Sequence, residues 1–107
     1  MPFTQQILQK LEYDIALTLI KKTYYQEIDE KNCSEIAKKV LELLPENSDL
    51  ETIKSSLLKL KESYFNVLSS IITKYLEIII NKETEKQINQ VKQKINHILY
   101  GSRTIRN

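Results

Sequence analysis

Apolar side chains recur along this chain at steps of three, four and seven residues, the spacing that lines one face of an α-helix rather than the alternation of a strand. Behind Pro2 and the cap-capable Thr4, the positions Ile7, Leu8, Leu11, Ile15, Leu19, Ile20, Tyr24 and Ile28 predict a first helix over 4–30. Asn32, followed three residues later by Glu35, has the form of a capping box, so the chain is expected to break near Lys31 and restart as a short helix over 33–44. Pro45 stops that helix. Its apolar content, Ile36, Ala37, Val40, Leu41, Leu43 and Leu44, gathers on one wide face suited to a core.

Ser48 with Glu51 forms a second capping box, directly before the run Leu50, Ile53, Leu57, Leu60, Tyr64, Val67, Ile71 and Ile78, and this predicts a long third helix over 49–81. Further stripes through Leu58, Phe65, Leu68, Ile72, Tyr75, Leu76, Ile79 and Ile80 make its C-terminal half apolar nearly all round. Such a helix needs cover on more than one side. Asn81 can end it and Thr84 can cap a fourth helix over 84–100, with Ile88, Val91, Ile95, Ile98 and Leu99 as a narrow stripe and Gly101 as the C-terminal stop. The expected architecture is an all-α, four-helix bundle-like domain with two long and two short helices. It occupies 1–101 as a single domain, and 102–107 form a short basic, flexible tail.

At about 1.5 Å per residue these helices are roughly 40, 18, 50 and 25 Å long, so they cannot all match in an antiparallel bundle. A short second helix makes a continuous third helix overshoot the first, and the overshooting part is the most apolar in the chain. Two resolutions are open. Either the third helix breaks near Ser69 and Ser70 and closes onto the first, or it stays straight and a second molecule covers the hairpin of helices three and four. The second resolution predicts a protein–protein interaction module that binds through Phe65, Leu68, Ile72, Leu76, Ile79 and Ile80. Its partner would be a second copy, in a homodimer or higher oligomer, or another helical protein.

Composition narrows the function classes. One Gly and two Pro in 107 residues leave little turn chemistry for an all-β fold, and about a third of the residues are Ile, Leu, Val or Phe, enough for a packed core. No apolar run approaches the roughly 20 residues a membrane span needs, and the N-terminus lacks a basic leader pattern, so a cytoplasmic protein without membrane insertion is expected. The lone Cys33 requires no oxidising compartment, and one Cys with one His, His97, cannot build a structural zinc site. The residue three before His97 is Lys94, which does not fit the Glu-x-x-His pairs of a bundle di-iron site, and Gly101 alone makes no phosphate-binding loop. Carboxylate pairs such as Glu12 with Asp14, or Glu27 with Asp29 and Glu30, read as solvated helix faces. No enzyme activity, cofactor or small-molecule substrate is therefore expected. Charge is the remaining asymmetry: from Lys86 onward there are five basic residues and no acidic ones, against eleven basic and fourteen acidic before it. Lys86, Lys92, Lys94, Arg103 and Arg106 thus supply an alternative reading as a small nucleic-acid-binding protein.

Overall fold

The computed structural model describes residues 2 to 101. The chain is 88% helical, and no strand occurs among the described residues. Three α-helices are present among the described residues, α1 (Phe3–Tyr24), α2 (Glu30–Leu43) and α3 (Leu50–Asn96), and a π-helical turn, His97–Gly101, follows the third.

Local hydrogen bonding sets the boundaries. The carbonyl of Pro2, in extended conformation, accepts from the Gln6 amide and opens α1, so Thr4 lies inside the helix and not at its cap. At the other end Gln26 takes a left-handed φ of 61°. Its amide donates to the Thr23 carbonyl, and the Glu27 amide donates to the Lys22 carbonyl at 2.8 Å. This is the Schellman arrangement, with glutamine at the position glycine usually fills. It ends α1 at Tyr24, six residues before the boundary the apolar spacing predicts. Asp29, not Asn32, caps α2: its carboxylate accepts from the Asn32 amide at 2.7 Å. Likewise Asp49, not Ser48, caps α3 by accepting from the Thr52 amide at 2.7 Å. The bonds from Thr52 hold the Asp49 carboxyl below its ordinary value. Ser48 turns back instead and donates its hydroxyl to the Pro45 carbonyl.

The four-helix expectation needs correction at its C-terminal end. Residues 81 to 84 are helical, so no turn separates a third helix from a fourth and the hairpin of helices three and four does not form. Thr84 explains why: its hydroxyl donates back to the carbonyls of Ile80, at 2.9 Å, and Asn81, at 3.2 Å, the bonding of a threonine inside a helix. A capping threonine would accept from an amide ahead of it. Nor does α3 break at Ser69–Ser70. It bends at Tyr64, where φ is −132° and ψ 29°. Before the bend the buried positions are Ile53, Leu57 and Leu60. Beyond it they move one residue along the expected seam, to Leu68 in place of Val67 and to Ile72 beside Ile71.

The chain divides into two compact units, Met1–Glu77 and Ile78–Asn107. In the first, Ile7, Leu8, Leu11, Ile15 and Leu19 of α1 are buried, as are Ile36, Val40 and Leu44 of the α2 region and Ile53, Leu57, Leu60, Leu68, Ile71, Ile72 and Tyr75 of α3. Leu41, read from the sequence as core, is 72% exposed, and Ala37 and Leu43 are half-buried, so α2 buries a narrower face than its composition allows. Buried Ser56 donates its hydroxyl to the Leu43 carbonyl and satisfies one of the acceptors left over at the end of α2. The second unit holds the remainder of α3 and the π-helical turn. No helix among the described residues is long and apolar enough to cross a membrane.

Candidate functional site

In the first unit a polar cluster joins α1 to α3. The Tyr75 hydroxyl, buried on α3, donates to Oδ2 of Asp14 on α1, and Lys74 Nζ lies 3.6 Å from the same oxygen. Burial, reinforced by the bond to Asp14, pushes the Tyr75 phenol well above the ordinary tyrosine range. It therefore stays protonated at neutral pH and acts as a fixed donor that pins α1 to α3. A shallow cleft of about 460 Å³ lies between α1 and the Leu41–Asn47 segment, lined by Gln5, Gln9 and Asn47 with Glu12 and Glu46 as its charged groups. No Ser, Thr, Cys, His or Lys lines it. Half-buried Cys33 sits in the first turn of α2, and His97 is exposed. Among the described residues no group of three or more His, Cys, Asp or Glu gathers where it could hold a metal ion.

Apolar surface in water is the more distinctive feature. Of the six residues expected to bind a partner, Leu68, Ile72 and Ile79 are fully buried by the chain itself, Leu76 is half-buried, and Phe65 and Ile80 are exposed. Phe65 carries Lys61 Nζ 5.9 Å from its ring centre, a contact that covers part of one face. The six do not form one open surface.

Two other stripes do. On α1, Tyr13, Leu17, Ile20 and Tyr24 follow one another at steps of four, three and four and are all exposed. At 100° per residue they lie opposite the buried face of Leu11 and Ile15. Tyr13 and Tyr24 tolerate water through their hydroxyls, and Leu17 is the least exposed of the four. In the second unit, Ile88, Val91, Ile95 and Ile98 are spaced three, four and three apart and are 50%, 54%, 47% and 66% exposed. Leu99 adds a fifth exposed aliphatic side chain. The sequence identifies this stripe but predicts it as packing against a neighbouring helix. Among the described residues of its own unit there is no second α-helix to receive it.

The charges around that stripe are unevenly placed. Glu85 and Lys92, seven residues apart, flank one side, and Gln87 and Lys94 flank the other. Lys82 Nζ lies 3.4 Å from Glu85 Oε2 in an exposed i,i+3 pair. Lys92 and Lys94 are exposed, as the nucleic-acid reading requires, and Lys86 lies within α3, but Arg103 and Arg106 fall outside the described residues. No family model, no curated protein and no solved structure matches the chain.

Proposed function

We propose that this protein is a helical association module whose binding surface is the aliphatic seam formed by Ile88, Val91 and Ile95 of α3 with Ile98 of the π-helical turn that follows it. One observation carries the reading: Ile88, Val91 and Ile95 at heptad spacing on α3, continued by Ile98 in the π-helical turn, are each about half exposed or more, with no other α-helix among the described residues of their unit. Isolated helices are marginal in water, and most helical stability in proteins comes from packing an apolar face. A seam of this spacing fits knobs-into-holes packing, in which a partner helix lays its own a and d residues between those of the seam. Compared with the α1 stripe, this surface has no hydroxyl that water can satisfy. It supersedes the surface centred on Leu68, Ile72 and Ile79, whose side chains are already occupied in the core.

The test uses a fluorescently labelled designed helix with Ile and Val at a and d positions and acidic flanks, titrated with the full chain. Saturable binding is expected for the wild type and not for Val91→Lys/Ile95→Lys. Equal behaviour of the two proteins, or no binding at about 1 mM, the weak end of specific association, overturns the reading. Mixed-sequence DNA in a parallel titration tests the nucleic-acid alternative: affinity that falls steeply with salt supports it.

A further inference from the structure

We infer that the seam docks antiparallel on α1 of a second copy, against the exposed stripe Tyr13, Leu17, Ile20 and Tyr24; the inference rests on the association reading above. Both surfaces are exposed and both follow heptad spacing, which gives each a and d positions and charged or polar edges at e and g. With Ile88 and Ile95 at a and Val91 at d, Glu85 and Lys92 fall at e and Gln87 and Lys94 at g. On α1, Leu17 and Tyr24 fall at a and Tyr13 and Ile20 at d, so Asp14 and Lys21 fall at e and Ala16 and Thr23 at g.

Antiparallel helices set a against d, e against e and g against g. Placing Ile88 on Ile20 puts Val91 on Leu17 and Ile95 on Tyr13, three apolar layers in succession. The same register sets Glu85 against Lys21 and Lys92 against Asp14 on one edge, and Lys94 against Ala16 and Gln87 against Thr23 on the other. Opposite charges meet twice, and like charges meet at neither edge. The end layers are mixed: Thr84 meets Tyr24, and Ile98 meets the aliphatic stem of Lys10, whose ammonium reaches water. Glu85 with Lys21 is the stronger of the two ion pairs. Asp14 already accepts from Tyr75 and lies 3.6 Å from Lys74 through Oδ2, which leaves Oδ1 to Lys92 beside a second cation. Glu85, in its exposed pair with Lys82, can accept from Lys21 as well.

Other registers lose one half of this match. Shifted one heptad, Val91, Ile95 and Ile98 meet Tyr24, Ile20 and Leu17, but Lys92 faces Lys21; shifted the other way, Val91 meets Lys10 and Ile95 meets Gln6. Run parallel, Ile88, Val91 and Ile95 cover Leu17, Ile20 and Tyr24 without forming an ion pair, and the next parallel register sets Lys94 against Lys21. A seam laid antiparallel on a second seam, with all four aliphatic residues paired, sets Lys92 against Lys92 and Lys94 against Lys94. The contact is thus heterologous, joining two different surfaces of the same chain.

Sedimentation equilibrium of the full chain from about 10 µM to about 1 mM, at low salt where surface charges act most strongly, tests the inference. The average mass of the wild type is expected to rise above one chain with concentration. Val91→Lys/Ile95→Lys removes the seam and Leu17→Lys/Ile20→Lys removes the stripe; all four residues are exposed, so circular dichroism is expected to show wild-type helicity in both. Each variant alone is expected to stay monomeric, and their equimolar mixture to form a one-to-one pair, because one supplies an intact stripe and the other an intact seam. Lys21→Glu and Glu85→Lys are each expected to weaken association by about threefold or more, and the two together in one chain to restore it. A monomeric wild type, a stripe variant that associates as the wild type does, a mixture that stays monomeric, or a charge-exchanged chain that fails to recover overturns the inference. If any of these is found while the designed helix still binds the seam, the association reading stands and only the occupant is wrong. If the designed helix does not bind either, both fall.

Discussion

Ile72 and Ile95 are the same residue type on the same helix, and their exchange for alanine separates a core position from an association surface. Ile72 is 1% exposed, so Ile72→Ala removes three carbons from a packed site. At about 0.8 kcal/mol per methylene the transfer loss is about 2.4 kcal/mol, and the unfilled cavity raises the cost to about 3–4 kcal/mol. Ile95 is 47% exposed, so the same truncation forfeits about half the transfer term, leaves no cavity, and recovers a few tenths of a kcal/mol because alanine is the better helix former. The net loss is below about 1 kcal/mol. Urea unfolding followed by circular dichroism measures both, at protein concentrations of about 1 µM, where weak association contributes nothing. With an m-value of about 1.5 kcal/mol/M, Ile72→Ala lowers the midpoint by about 2 M and Ile95→Ala by less than about 0.7 M. Equal shifts at low concentration, or a cost below about 1 kcal/mol for Ile72→Ala, would refute the division into core and seam.

Three further outcomes follow from the local structure. Gln26→Gly relieves a left-handed conformation that costs a side-chain-bearing residue about 1–2 kcal/mol, partly offset by the greater freedom of glycine in the unfolded chain. The variant gains about 0.5–1 kcal/mol, seen as a melting temperature higher by about 2–8 °C, whereas Gln26→Ala gains nothing. Ser56→Ala leaves the Leu43 carbonyl without its donor and costs about 1–3 kcal/mol by urea titration, with an unchanged m-value. Tyr75 donates to Asp14 only while protonated, and its folded-state pKa lies above the ordinary value of 10.0. Its contribution is therefore complete below about pH 10 and declines as the pH rises through the folded value. Tyr75→Phe lowers stability at neutral pH by about 1–2 kcal/mol and flattens the alkaline limb of the stability profile, which thermal melts across about pH 7–11 follow.

That the chain is helical is legible in the residues alone, because steps of three and four residues are a property of helix geometry that each segment carries locally. The residues also placed the start of α3 and the end of α2, ahead of Pro45, each within one residue, since capping and proline act over a single turn. The other boundaries depended on choices between equivalent local chemistries. Asp29 and Asn32 are both competent caps, and the Schellman turn at Gln26 carries no glycine to announce it. Thr84 can accept from an amide ahead or donate to a carbonyl behind, and only the path of the chain selects between them. The same holds for the faces. Leu19 and Ile20 are adjacent aliphatic residues on α1, yet Leu19 is buried and Ile20 is exposed, because a neighbouring helix covers one side. Ile72 and Ile88 are likewise indistinguishable by residue type and periodicity. Spacing fixes which residues share a stripe. Which stripe meets another element is a non-local property, decided only when α1, α2 and the bend at Tyr64 bring the covering side chains into place.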